Sequence, residues 1–221
     1  MEEGTRPRWH SAVDLASVCG FAALWLLVCA RLGRVHDAAT GSALALAALP
    51  LGYVLADGVS GVVHWAADRF FGPRTPILGP LLVRPFREHH HDPGAMAHHG
   101  FLEVSGNSCL VSIPLLGTLA SLPAPASIGL AFLQAILLSL TIGVFGTNLF
   151  HKWAHTANVA RPVAWLQRHG WILRPEHHAV HHGGDHDRAF CITTGWLNPL
   201  LDRWRFFWQL ERLLGANATT R

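Results

Sequence analysis

Long apolar stretches alternate along this chain with polar stretches that carry most of its histidines. Four apolar segments stand out, at residues 13–32, 42–66, 109–122 and 127–150. Roughly 20 apolar residues are needed to cross the hydrocarbon core of a bilayer as a helix. Three segments reach that length, and the third is marginal because it is short and contains Pro114. The pattern predicts an all-α membrane protein with about four transmembrane helices.

Composition strengthens this interpretation. Hydrophobic residues make up 50% of the chain and charged residues only 14%, whereas soluble domains carry about 25% charged residues. The formal net charge of +3 is modest, so we expect no nucleic-acid partner. The four cysteines form no CxxC pair, and we expect them to be free thiols in apolar surroundings.

We expect a single domain made of five successive parts. They are a polar N-terminal tail (residues 1–12), a first helix pair (13–66), a first histidine-rich region (67–108), a second helix pair (109–150) and a second histidine-rich region (151–221). The last region ends in a segment that mixes arginine with tryptophan, which suits a helix lying in the membrane interface. An ordinary amphipathic helix packed on the domain is an equally open interpretation.

Four spans place both histidine-rich regions and the N-terminus on one side of the membrane. Arg31 and Arg34 lie in the first short connection, and the other fifteen of the seventeen Lys and Arg residues fall on the opposite side. Cytoplasmic loops carry an excess of Lys and Arg. The sequence therefore predicts a cytoplasmic, histidine-rich helical cap. A composition rich in Ala and Arg suggests the inner membrane of a bacterium, or the endoplasmic reticulum if the source is eukaryotic.

The histidines follow the ends of the second and fourth apolar segments. His64 and Asp68 are four residues apart, as are His151 and His155, and residues at this spacing share a helix face. Each pair is followed downstream by a histidine cluster. The first cluster contains His89 and His90, and the second contains His178, His181 and His182 in an HxxHH pattern.

So many imidazoles exceed the needs of one structural zinc, which takes about four ligands and usually includes cysteine. We therefore predict a dinuclear metal site held by the cap, although imidazole suits Zn, Cu, Fe and Ni alike. The predicted catalytic metal ligands are His64, His89, His90, His151, His155, His178, His181 and His182. Further possible ligands are His177, His99, His186 and Asp68. Residues expected to orient the ligands through hydrogen bonds are Asp57, Asp68, Glu88, Asp92, His99 and His186.

Several motifs resemble the plasmanylethanolamine desaturase family, also called the Kua or CarF family. The resemblance runs in order from about residue 56 to 202, and "FCITTGWLN" directly after a histidine cluster is its most specific piece. The other motifs are "DGVSGVVHWAADRF", "RPFREHHHDP", "HHGFLE", "HKWAHT" and "HHAVHH".

This resemblance implies a di-iron desaturase that uses O2 and electrons from an external donor, such as a cytochrome b5-like protein or a ferredoxin. The implied reaction forms the vinyl-ether double bond of plasmalogens from a membrane 1-O-alkyl ether phospholipid. Desaturation or hydroxylation of an acyl chain of another phospholipid is the alternative. A zinc-dependent membrane hydrolase is more remote, because the sequence contains no HExxH motif.

Overall fold

The computed structural model describes residues 8–34, 37–72, 74–76, 79 and 83–215. The described residues contain ten α-helices, and the all-α prediction is confirmed. In chain order they are α1 (Arg8–Leu32), α2 (Ala38–Arg69), α3 (Arg84–His91), α4 (Ala95–His98), α5 (Phe101–Ser121), α6 (Ile128–Ala154), α7 (Arg161–Arg168), α8 (Pro175–His182), α9 (Asn198–Arg203) and α10 (Phe206–Leu213).

Helices α1, α2, α5 and α6 are long and apolar enough to cross a membrane, so the protein is a multi-pass membrane protein. Helix α1 begins at Arg8, before the first residue of the predicted apolar segment 13–32, and residues 1–7 lie outside the described part. The third span also begins earlier, at Phe101, and reaches 21 residues. Polar residues in its first two turns hid this start from the apolar pattern. Pro114 lies inside α5, as transmembrane helices tolerate.

The chain divides into two compact units, of which the first comprises Met1–Ala56 and His99–Leu149. Its apolar core joins Phe21 and Val28 of α1 to residues of α5 and α6 such as Leu116 and Leu138. Glycine allows close helix contacts here, as is usual between transmembrane helices. A Cβ atom at Gly52 of α2 would lie 2.5 Å from the carbonyl oxygen of Ile136 in α6.

The second unit comprises Asp57–His98 and Phe150–Arg221. Its buried apolar side chains form two clusters, one around Leu173 and Ile192 and one around Phe190 and Phe207. Helix α10 is fastened to the last turns of α2, because the Glu211 carboxylate accepts a hydrogen bond from Trp65 Nε1 at 3.0 Å and pairs with Arg69 Nε at 3.1 Å. The placement of this helix in the membrane interface and the five-part division of the chain stay predictions.

Candidate metal centre

Four helices of the second unit bring the predicted ligands together. The C-terminal turns of α2 carry His64 and Asp68, and the end of α6 carries His151, with His155 directly after it. Helix α3 supplies His89 and His90, and α8 supplies the HxxHH histidines. The predicted i, i+4 and HxxHH spacings therefore lie on helices and direct their side chains toward one place. All eight predicted ligands fall into two groups of potential metal donors, with Asp68 as a ninth member.

The first group, here called the five-histidine group, is centred on His178. The Nε2 atom of His178 lies 2.8 Å from that of His151, 2.9 Å from that of His155 and 3.0 Å from that of His182. The fifth member is His89, whose ring centre lies 4.6 Å from that of His151. A neutral imidazole nitrogen holds at most one proton, so hydrogen bonds cannot account for all three contacts of His178 Nε2.

The second group, here called the His–Asp group, consists of His64, Asp68, His90 and His181. Three imidazole nitrogens face the same carboxylate oxygen, Asp68 Oδ2. It lies 3.3 Å from His64 Nε2, 3.5 Å from His181 Nε2 and 3.6 Å from His90 Nε2. His181 Nε2 and His90 Nε2 are themselves 3.2 Å apart. Asp68 therefore lies where a ligand would lie.

The spacing of the donor atoms fits metal ions. Imidazole nitrogens bind a zinc-sized ion at about 2.1 Å, which puts two of them about 3.0 Å apart at a right angle and about 3.4 Å apart in a tetrahedron. The Nε2 pairs of the five-histidine group that approach each other lie between 2.8 and 3.3 Å apart. The two groups are neighbours, since the rings of His89 and His90 are centred 4.4 Å apart. The arrangement can hold two ions side by side.

Backbone carbonyls select the ring nitrogen that faces inward in two ligands. His64 Nδ1 lies 3.1 Å from the carbonyl oxygen of Phe190, and His181 Nδ1 lies 2.8 Å from that of Arg188. Because a carbonyl only accepts hydrogen bonds, each Nδ1 donates a proton and each Nε2 keeps its lone pair for a metal ion. A residue pattern does not reveal these two carbonyls, although Phe190 is the first residue of the "FCITTGWLN" motif and Arg188 lies two residues before it.

Burial keeps the imidazoles outside the membrane spans in the neutral form that binds metal. Desolvation, followed by the repulsion of neighbouring histidines, lowers the pKa of His90 and of His182 from 6.5 to about 3. The same causes lower the pKa of His155 to about 4. They also hold the pKa of His89 and His178 far below the ordinary value. At neutral pH these nitrogens need no deprotonation before they bind a metal ion.

Three further candidates lie outside both groups. His177 is exposed on α8, although its neighbour His178 is buried. His99 belongs to the first unit, and its Nδ1 lies 3.6 Å from Glu103 Oε1. His186 lies against the His–Asp group, because its Nδ1 contacts the carbonyl oxygen of His181 at 3.0 Å and its ring is centred 4.4 Å from that of His90.

The carboxylates expected to orient ligands have other contacts. Asp92 Oδ1 accepts a hydrogen bond from the backbone N–H of Ala95 at the start of α4. Asp57 is fully buried and accepts hydrogen bonds from the backbone N–H groups of Thr194, Gly195 and Leu197. The side chain of Glu88 lies outside the described part of the structure.

Four helices long and apolar enough to span a membrane, together with two neighbouring groups of potential metal donors, define a membrane protein with a candidate metal centre. The lipid desaturase domain matches residues 53–221, a range that contains every member of both groups. The chain belongs to the lipid desaturase family and is an oxidoreductase of the plasmanylethanolamine desaturase type.

Curated relatives agree with this assignment. The plasmanylethanolamine desaturase of Myxococcus xanthus is 40% identical over 203 residues, which cover 92% of this chain and 71% of the relative. Plasmanylethanolamine desaturase 1 of Mus musculus is 36% identical over 211 residues, covering 93% and 75%. The chloroplastic fatty acid desaturase 4 of Arabidopsis thaliana is 29% identical over 162 residues, covering 72% and 48%. No solved structure shows significant similarity to the chain.

Proposed function

We propose that this protein is an O2-dependent di-iron desaturase that forms the vinyl-ether double bond of plasmalogens from 1-O-alkyl ether phospholipids. The observation that carries the proposal is the pair of adjacent donor groups, five histidines in one and three histidines with Asp68 in the other. Eight imidazoles and one carboxylate make a donor set of nitrogen and oxygen. Such a set suits iron and other first-row metals, and it contains no thiolate.

The proposed reaction removes one hydrogen from each of two neighbouring carbons of the alkyl chain. One O2, two electrons and two protons enter, and two water molecules leave, so that one C=C bond forms beside the ether oxygen. Iron held by the two donor groups would supply the activation of O2 that breaking unactivated C–H bonds requires. The chain's part is to hold the metal ligands in fixed orientations. The Phe190 and Arg188 carbonyls fix the rings of His64 and His181.

Asp68 is proposed as a metal ligand as well as a neighbour of His64. Its Oδ2 atom faces three inward Nε2 atoms. An orienting role for His64 would place the carboxylate at the outward nitrogen, and the Phe190 carbonyl already occupies that position. Cys191 is not a ligand candidate, because burial raises the pKa of its thiol and a protonated thiol binds metal poorly.

The choice of an ether lipid is supported by the relatives. The two plasmanylethanolamine desaturases are 40% and 36% identical to this chain, and the fatty acid desaturase 4 proteins are 29–30% identical. Desaturation or hydroxylation of an acyl chain is the second candidate, favoured by those chloroplastic relatives. A zinc-dependent hydrolase is less well supported, because the sequence contains no HExxH motif, in which two histidines bind zinc and the glutamate acts as general base.

The proposal also includes an electron donor and the membrane in which the protein lies. A small soluble or membrane-bound carrier, such as a ferredoxin or a cytochrome b5-like protein, would deliver the two electrons. The arginine and lysine distribution supports a metal centre at the cytoplasmic side. The composition of the chain supports the bacterial inner membrane.

The test is expression in a host that makes 1-O-alkyl phospholipids and no plasmalogens. Vinyl ethers release long-chain aldehydes under mild acid, so membranes with the wild-type protein should yield aldehydes in an O2-dependent manner. His181→Ala should abolish the aldehydes, whereas His177→Ala should leave them. No aldehyde from wild-type membranes, with alkyl lipid and O2 present, would contradict the ether-lipid proposal. New acyl double bonds or hydroxyl groups in their place would favour the second candidate.

A further inference from the structure

A fully buried carboxylate on α2 holds the segment that follows the last histidine cluster. Asp57 Oδ1 accepts hydrogen bonds from the backbone N–H groups of Thr194 at 2.7 Å and Gly195 at 2.9 Å, and Oδ2 accepts one from Leu197 at 3.1 Å. Hydrogen bonds to a carboxylate are roughly twice as strong as neutral ones. A carboxylate inside a membrane span is costly unless it is paired. The three hydrogen bonds offset that cost for Asp57, and they hold the segment that donates them.

Further contacts fix the same segment along its length. Ser60, one turn after Asp57, accepts a hydrogen bond from the backbone N–H of Ile192 at 3.0 Å. The Asn198 side chain bonds both backbone groups of Cys191, accepting at 2.8 Å and donating at 3.0 Å. A Cβ atom at Gly61 would lie 2.6 Å from Cys191 Sγ. The segment therefore lies directly on α2 with no room to shift toward it.

The segment held in this way returns to the metal centre. Phe190, next to Cys191, offers the carbonyl that accepts the Nδ1 proton of His64, seven residues after Asp57 on the same helix. Two residues earlier, the Arg188 carbonyl accepts the Nδ1 proton of His181. Helix α2 thus fixes residues 191–197, and Phe190, directly before them, fixes the ring of His64, the metal ligand that α2 itself carries. Both carbonyl contacts belong to members of the His–Asp group.

We propose that Asp57 is a positioning residue for one of the two metal ions, the ion of the His–Asp group. By holding residues 194–197 it sets the position of the Phe190 carbonyl, which in turn keeps His64 as the Nδ1–H tautomer with Nε2 facing inward. The inference rests on the proposed dinuclear centre. It goes further because it predicts that removal of Asp57 leads to loss of the ion of the His–Asp group, whereas the ion of the five-histidine group stays bound.

The experiment compares metal loading and tautomers in purified full-length variants. Wild type, Asp57→Ala, Asp57→Asn, His64→Ala and His155→Ala are loaded with Fe²⁺ alone under anaerobic conditions, and iron per chain is measured. Co²⁺ absorption then distinguishes the two groups, with His64→Ala and His155→Ala as references for loss of one ion each. Asp37→Ala is the matched control, because Asp37 also accepts two backbone N–H hydrogen bonds, from Ala39 and Thr40 at the start of α2.

Asp57→Ala should lose one iron and should share the Co²⁺ spectrum of His64→Ala, not that of His155→Ala. Asp57→Asn retains one acceptor oxygen and should load the ion more weakly without abolishing it. Asp37→Ala should keep the wild-type loading. Retention of two iron ions in Asp57→Ala would overturn the proposal. Loss of both ions to the same extent, in Asp57→Ala and in Asp57→Asn, would overturn it as well.

A second measurement does not depend on metal. In metal-free protein, ¹⁵N-histidine NMR should show His64 protonated at Nδ1 in the wild type and as a mixture of tautomers in Asp57→Ala. An unchanged tautomer would overturn the positioning role. If wild-type protein bound fewer than two ions while the tautomer still changed, the dinuclear centre would be wrong and the positioning role of Asp57 would stand.

Discussion

The Nε2 atoms of His151 and His178 lie 2.8 Å apart, although 27 residues separate them along the chain. One sits at the end of a membrane-spanning helix and the other on the short helix α8. Both are buried, so their approach places the candidate metal centre where the fourth span ends. The contact joins the histidine pair at the end of the fourth span to the cluster that follows it along the chain.

His178 and His177 give the sharpest paired substitution. His178→Ala removes the nitrogen that faces three other Nε2 atoms, and we expect desaturation to fall by at least ~100-fold, beyond the effect of losing an outer contact of a metal ligand. His177→Ala changes an exposed neighbour and should leave activity within about twofold. Product per mole of membrane-inserted protein is the measurement. Similar losses of activity in both variants would contradict the view that His178 is a metal ligand and His177 is not.

Asp68→Asn should remove one iron per chain. The amide keeps the size of the side chain and loses the negative charge that faces three inward imidazole nitrogens. We expect activity to fall by at least ~100-fold, because removal of a metal ligand should cost more than removal of a residue that only supports one. Iron content by mass spectrometry checks the result. Retention of both ions with a small loss of activity would assign Asp68 an orienting role.

His186→Ala should give an intermediate effect. His186 contacts the carbonyl of His181 and packs against His90 without belonging to either donor group. Such supporting residues cost about 10–100-fold in metal affinity or activity when removed. Titration with Fe²⁺ should show both ions binding, one of them more weakly. Complete loss of one ion would identify His186 as a ligand.

Close helix packing in the first unit should be sensitive to a single methyl group. A Cβ atom at Gly143 of α6 would lie 2.4 Å from Ala56 Cβ on α2, whereas one at Gly117 of α5 meets nothing within 4 Å. Gly143→Ala should therefore destabilise the protein by about 1–3 kcal/mol. Gly117→Ala should change stability by less than about 0.5 kcal/mol. Unfolding in detergent measures both, and equal stability of the two variants would contradict the packing.

The helices and the donor residues follow from sequence because their signals are local. Apolar length predicts the spans, and i, i+4 spacing predicts that His151 and His155 share a face. The early start of α5 at Phe101 escaped prediction because polar residues occupy its first turns. The sequence singled out Asp57 but not its partners, because these are the backbone N–H groups of Thr194, Gly195 and Leu197, and backbone groups leave no trace in a residue pattern. The two carbonyls that hold His64 and His181 were missed for the same reason.

The iron content of purified wild-type protein tests the central claim most directly. Protein purified from cells grown with iron should contain two iron ions per chain, and both should be lost on chelation and regained with Fe²⁺. His64→Ala and His155→Ala should each retain about one. A single zinc ion per chain, unchanged by either substitution, would contradict the di-iron centre on which the proposed desaturation depends.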